Sequence, residues 1–371
     1  MRILFIEPYF GGSHRAFAEG YRRHSAHEVE LLTMPPRKWR WRMQGGAMYL
    51  ADRLPDNPPD MLLVSDFLDL ATLKGLRTQY LCEVPSLAYF HENQLNYPVR
   101  NDRPDEEAGL RNITTALAAD HVAFNSRYNR DSFLESTRQL LGRAPDCVPS
   151  EVATRIRARS DVIPVGVDLS RIDSLRSPDS STDNPLRLLW NHRWEYDKNP
   201  ETFFEVVERM EATGLEYQLN VVGENRGEVP AAFERARDRF GHRIRAFGTV
   251  PEREDYLKVL LESDVVVSTA IHEFFGVAVV EAMYAGCAPL LPDRLSYPEL
   301  IPEHVREVCL YRDADEMFRQ LRRWSLHPSG ARAIDLREQM SRFRWERVAP
   351  ELDELVGAVV GDRSSVITDD R

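Results

Sequence analysis

The chain has only four cysteines in 371 residues (Cys82, Cys147, Cys287 and Cys309), and no two of them form a Cys-x-x-Cys pair. That scatter argues against a disulfide framework or a cysteine-held metal, and it predicts a reduced, cytoplasmic setting. No stretch approaches the roughly 18 apolar residues a membrane helix needs, so no membrane span is expected. Met1-Arg2-Ile3-Leu4-Phe5-Ile6 runs straight into a strand pattern without signal-peptide anatomy. A Gly-x-Gly-x-x-Gly fingerprint, an internal repeat, a low-complexity block, and Ser-His-Asp or Cys-His catalytic spacings are all missing. Excess charge is missing from one half only. Residues 1–165 hold 21 basic and 21 acidic residues, and the remainder holds 27 and 38, so the whole net charge of −11 sits there. A polyanionic partner is therefore expected on the N-terminal half.

What the chain does contain is alternation. Apolar runs at Arg2–Glu7, Val29–Thr33, Met61–Ser65, Ser86–Phe90, His121–Asn125 and Asp161–Asp168 read as strands separated by helical patterns, with Ser126 as a helix N-cap. A polar, aperiodic stretch, Ser174 to Pro185, reads as a linker. A second alternating set then starts at Leu186–Trp190 and continues through Gln218–Gly223, Ile244–Gly248, Val265–Ser268 and Ala288–Leu291. This pattern predicts two α/β domains with parallel sheets, whose sites lie beyond the carboxyl ends of the strands. The expected boundaries are 1–173, a linker at 174–185, 186–345, a C-terminal helix at 346–360 and a frayed tail at 361–371.

The most informative stretch is His272-Glu273-Phe274-Phe275-Gly276-Val277 with Glu281 beyond it. It places two carboxylates eight residues apart across a strand-to-helix junction. The amides of Phe275, Gly276 and Val277 open the helix and suit a phosphate. Arg193 and Lys198, on the loop leaving the first strand of the second domain, suit a diphosphate; alone they would read as solvated charges. In the first half, Gly11-Gly12-Ser13-His14 opens a helix after strand one and could admit backbone close to a ligand. His91, Asn93, Gln94 and Asn96 form a polar loop that could receive an acceptor, His91 bonding a sugar hydroxyl or the reacting oxygen. Arg37-Lys38-Trp39-Arg40-Trp41-Arg42 interleaves cations with tryptophans, either as a strand edge or as a surface for phosphate contact and base stacking. Asp313-Ala314-Asp315 has a metal-binding shape, but N-capping of the next helix explains it better.

Taken together these segments resemble the GT-B glycosyltransferases of family 4 over nearly the whole chain. The resemblance is carried by Arg193 with Lys198, by Phe247-Gly248-Thr249-Val250, and by Glu273 with Glu281. Pro8 to His14 and Tyr89 to Pro98 are further similar to the tRNA-queuosine α-mannosyltransferase group. The resemblance implies a GT-B fold, two doubly wound Rossmann-like domains facing across a cleft. It implies that Glu273 contacts the donor sugar, Glu281 the ribose, Arg193 and Lys198 the diphosphate, and that His91 lies near the reacting sugar. Thr249 and Val250 join the donor-binding set with Phe274. His192 departs from the pattern, since many members have glycine there. A nucleotide sugar (GDP-mannose), a tRNA bound through the N-terminal half, a retaining transfer and no metal or other cofactor are the corresponding expectations. A lipid or small-glycan acceptor, or a non-catalytic RNA-binding protein on the same scaffold, are the alternatives.

Overall fold

The computed structural model describes residues 1–98, 105–176, 185–225 and 227–369. Two compact units emerge, Met1–Val167 with Phe343–Arg371, and Asp168–Arg342. The first contains six parallel strands, β1 (Arg2–Glu7), β2 (Glu28–Thr33), β3 (Met61–Ser65), β4 (Ser86–Phe90), β5 (His121–Phe124) and β6 (Ser160–Val162), in the spatial order β2-β1-β3-β4-β5-β6. Their near-continuous apolar runs are what burial on both faces of a parallel sheet demands; every residue of β3 and β4 is buried. The order reverses between β1 and β3, so Glu7, ending β1, and Asp66, just past β3, flank the switch point where ligands bind in such sheets.

The second unit repeats the architecture with β7 (Leu186–Trp190), β8 (Tyr217–Val222), β9 (Ile244–Gly248), β10 (Val265–Val267), β11 (Ala288–Pro292) and β12 (Leu310–Tyr311), ordered β12-β11-β10-β7-β8-β9. Its switch point falls between β7 and β10. Each strand pattern expected from the sequence has a counterpart within a residue or two, except the run Asp161–Asp168. There the strand stops at Val162, because Pro164 cannot donate to the ladder. Val167 instead donates to the Phe343 carbonyl at 2.7 Å. Residues 177–184 of the expected linker lie outside the described residues, and its first part belongs to a short helix, Ser170–Leu175.

The C-terminal helix runs Trp345–Asp369 and belongs to the first unit. Trp345 is the anchor. Its ring lies so close to two glycines that an added Cβ would stand 2.3 Å from it at Gly20 and at Gly166. It also packs on Phe17, with centroids 5.3 Å apart. From the next turns of the helix, Asp353 accepts from the Tyr21 hydroxyl at 2.7 Å and the Ala26 amide at 2.8 Å. Among the described residues no helix is long and apolar enough to cross a membrane.

Because Trp345 fills a slot cut by two glycines, Trp345→Ala leaves a cavity that cannot collapse and is expected to cost about 3–5 kcal/mol. Urea unfolding is the check. A midpoint equal to the parent's would show that the helix does not hold the unit.

Candidate active site

In the second unit the switch point is built around a buried ammonium. Lys198, just past β7, donates to the His272 carbonyl at 2.8 Å and to Glu273 Oε2 at 3.3 Å, and it pairs with Asp197 at 3.1 Å. Lys198 and Asp197 are buried, whereas the Glu273 carboxylate is partly open. Burial alone would push Glu273 up, but the Lys198 charge holds its carboxyl below the usual range. Burial likewise opposes the Lys198 charge, yet Glu273 and Asp197 raise its pKa on balance. His192 and His272 are buried beside the same ammonium, and burial together with that charge pushes both down to about 4. The backbone at His192, where the resemblance leads one to expect glycine, runs tight against Gly223: a Cβ on Gly223 would sit 1.8 Å from the His192 carbonyl oxygen.

The helix Val277–Ala285 begins after Gly276, whose φ of 99° lies in the left-handed region that glycine tolerates. The Phe275 amide turns to Glu273 Oε1 at 3.4 Å, so it is not the free donor the sequence suggested. The amides of Gly276 and Val277, at the helix start, have no acceptor within the helix and remain available to an anion. Phe274 and Phe275 are buried packing residues. Glu281, one turn in, is buried and paired with Arg253, whose Nη1 lies 3.3 Å from Glu281 Oε2. Asn191 Nδ2 donates to the Ala278 carbonyl at 2.8 Å and to the Tyr256 hydroxyl at 3.1 Å. Arg193 is half exposed and forms a weak surface pair with Glu195 at 3.4 Å. Thr249, beyond β9, donates to the Gly223 carbonyl at 3.2 Å, and Val250 follows it. Sequence reasoning missed Arg253, Tyr256 and Asn191, because their roles depend on partners tens of residues away, and it missed Asp197, whose pairing with the adjacent Lys198 matters only because both are buried. A cavity of about 680 Å³ beyond β11 and β12 carries Arg306, Arg312, Arg319 and Arg323 on its wall but none of these groups.

In the first unit the expected residues separate into two sets. His14 and His91 come together, with ring centroids 4.3 Å apart, beneath the stacked pair Tyr9–Phe67. Glu7, fully buried and not foreseen, takes His14 Nδ1 at 3.0 Å. Burial disfavours a charged His14, but Glu7 more than offsets it and the pKa rises to about 9. Burial and the His14 charge together hold His91 well below the ordinary histidine value, and its buried Nε2 has no partner. The His91 amide is fixed by Asp66 Oδ1 at 2.9 Å. Glu7, His14 and His91 each place a ligand atom within 4.8 Å of the others, although Glu7 and His14 already satisfy one another.

The other expected acceptor groups are used internally. Asn93 is buried and bonded to Asn129 and Asn96, Gln94 Nε2 to Glu92 at 2.7 Å, and Asn96 to Ser136, so they shape the His91 loop rather than face an acceptor. Gly12 and Ser13 open helix α1 (Gly12–His24) and are exposed, whereas Gly11 is small because Pro36 Cβ would lie 2.4 Å from a Cβ there. The Arg37–Arg42 segment is no strand edge: helix α2 spans Trp39–Ala51. Arg42 is buried with Nε on the Pro35 carbonyl, and Trp39 is half-buried against the Met43–Phe67–Ala108 cluster. Arg37, Lys38, Arg40 and Trp41 stay exposed, Arg40 pairing with Asp105 at 2.8 Å. Asp313, as expected, caps its helix by accepting from the Glu316 amide at 2.8 Å.

Residues 2–167 match the family described as tRNA-queuosine alpha-mannosyltransferase N-terminal, and residues 173–343 match glycosyl transferases group 1. The tRNA-queuosine alpha-mannosyltransferase of Drosophila melanogaster is 33% identical over 381 residues, covering 98% of each chain. A GDP-mannose-dependent alpha-(1-6)-phosphatidylinositol dimannoside mannosyltransferase of Mycobacterium tuberculosis is 22% identical, covering 81% of this chain and 74% of that one. Among solved structures, a sucrose-phosphate synthase from Thermosynechococcus elongatus gives a TM-score of 0.73 at 17% identity, covering 98% of this chain and 100% of that one. The Anabaena protein HepE with UDP-glucose gives 0.65 at 16%, covering 96% and 100%. At these identities the structural likeness speaks to the fold, which is GT-B.

The buried histidines set a pH window. His192 and His272 are neutral in the folded state down to about pH 4 but titrate near 6.5 when unfolded. Between those values the unfolded chain binds more protons, so stability falls as pH drops from 6.5 to 4. His14 acts in the opposite sense. Its contribution is complete below pH 6.5 and disappears as pH rises through about 9. Scanning calorimetry from pH 4 to 9.5 should show melting temperature falling on both sides. His272→Gln should flatten the acid limb and His14→Gln the alkaline one. A profile in which neither variant changes its limb contradicts these assignments.

Proposed function

The chain belongs to the tRNA-queuosine α-mannosyltransferase family of glycosyltransferases, and from that membership we propose that it transfers mannose from GDP-mannose onto queuosine in tRNA. The observation that carries the reading is the Lys198–Glu273 pair at the switch point of a unit matching glycosyl transferases group 1, joined to a first unit matching the queuosine-specific family. The second unit supplies the donor groups. Lys198, Arg193 and the open amides of Gly276 and Val277 meet the diphosphate. Glu281, held by Arg253, meets the ribose, and Glu273 orients the sugar hydroxyls. The first unit takes the acceptor, and His91 offers an uncharged imidazole with its Nε2 unengaged.

In the transfer, the bond between the anomeric carbon and the β-phosphate oxygen breaks as the acceptor hydroxyl oxygen bonds to that carbon on the same face. The hydroxyl proton passes to the departing phosphate, giving GDP and a retained α linkage. Charge accumulates on the leaving diphosphate, so cations and amides already in place stabilise the transition state more than the ground state. The reaction needs no metal on this reading, because Lys198 and the helix start carry that charge. Acting on tRNA, the enzyme works in the cytoplasm.

Radiolabelled mannose from GDP-mannose should appear in queuosine-containing tRNA and not in the same tRNA lacking queuosine. Glu273→Gln keeps the shape of the site and is expected to lose about 100-fold or more in transfer. Equal labelling of both tRNAs would overturn the acceptor assignment. Near-parent turnover by the variant would remove Glu273 from the chemistry.

A further inference from the structure

Helix α2 keeps only a narrow polar edge, where exposed Arg40 and Gln44 bond to Asp105 and Glu107. A surface helix ordinarily turns charged or polar side chains to water, yet α2 buries Met43, Ala47 and Leu50 on one side and exposes Trp41, Met48 and Tyr49 on the other. Positions 41, 45, 48 and 49 fall on one stripe at helical spacing. Trp41 lies along that stripe over Gly45: a Cβ there would stand 2.7 Å from two indole carbons and 2.9 Å from a third. The indole therefore rests on bare backbone, while Trp41 as a whole stays 55% exposed. Further along, the Arg53 guanidinium stacks 3.5 Å from the Tyr49 ring and is tied to the Tyr49 carbonyl at 2.7 Å. At the helix start Lys38, exposed, is held at φ 55°, a left-handed conformation that favours glycine or asparagine over a long side chain. A strained lysine kept at such a position points to a use for its charge.

We propose that this face of α2 is an RNA-docking platform, on which Trp41 stacks a base while Lys38, Arg37 and Arg53 meet flanking phosphates. The assignment rests on the tRNA acceptor proposed above and deepens it. Exposed aromatics beside cations are the chemistry that holds single-stranded nucleotides. The same composition could suit an anionic lipid surface, but an indole pressed onto its own helix cannot project into a bilayer, whereas a flat ring is shaped for stacking. Trp39, from the same first turn, packs on the cluster that contains Phe67, which in turn contacts His14, so the inner side of α2 is anchored next to the residues around His14.

The test uses the full-length protein and fluorescence anisotropy with labelled queuosine-containing tRNA. Trp41→Ala should raise the Kd for tRNA about tenfold, and Gly45→Ala, which pushes the indole off the helix, should do the same. Lys38→Gly should lower the slope of log Kd against log salt by about one contact without lowering the melting temperature, an outcome that a structural role for Lys38 would not give. The proposal is overturned if Trp41→Ala and Gly45→Ala keep parent Kd values, if the parent binds no tRNA, or if the variants lose binding to phosphatidylserine vesicles but not to tRNA. A parent that binds tRNA through these residues yet transfers no mannose would support the platform and remove the activity.

Discussion

The second unit is organised by one buried ammonium. Lys198 links the loop leaving β7 to the loop leaving β10 through the His272 carbonyl, Glu273 and Asp197. These parallel strands are neighbours because the strand order reverses between them, and the ammonium sits at that reversal. A charge taken out of water is tolerable only when paired, and removing one partner of such a group typically costs about 3–5 kcal/mol. The same charge holds the Glu273 carboxyl below its usual range, and it adds to burial in keeping the two adjacent histidines neutral.

The first unit solves the same problem with different residues. Glu7 and Asp66 stand on either side of its switch point, and burial, aided by the charge of the Glu7-paired His14, keeps His91 uncharged there. In both units the low-dielectric floor at the strand ends strengthens each pairing and makes each unpaired group costly. His91 Nε2 and His192 Nε2 are buried at these floors without a hydrogen-bond partner among the described residues.

Much of this was legible in the chain. The strands were readable because parallel strands buried on both faces are continuous apolar runs, and the runs at Met61–Ser65 and Leu186–Trp190 match to the residue. The strand-end placement of Glu273 and Glu281 was readable because a strand followed by glycine and an apolar helix marks a carboxyl-end site; Lys198, which alone would read as a solvated charge, is buried. Arg42 and Trp39 misled because interleaved cations and aromatics look alike as a strand, a loop or a helix. Only the packing of α2 decides which side chains turn inward. Asn93, Gln94 and Asn96 misled for a related reason. A polar loop can serve a ligand or its own backbone, and partners such as Asn129 and Ser136 lie more than thirty residues away in sequence.

By itself, then, the sequence determined the alternation of strands and helices, the two sheets, the positions of the strand-end loops and the chemical class of ligand they suit. Those features follow from local periodicity and from which residues can sit at a turn. Tertiary structure alone decided which charges are paired: Glu7 with His14, Arg253 with Glu281, and Asp353 with Tyr21 across more than three hundred residues. It also decided that the last helix returns to the first unit and locks there on Gly20 and Gly166. Pairing and closure depend on distance in space, which chain order does not encode residue by residue. Burial then multiplies the consequence of each such contact.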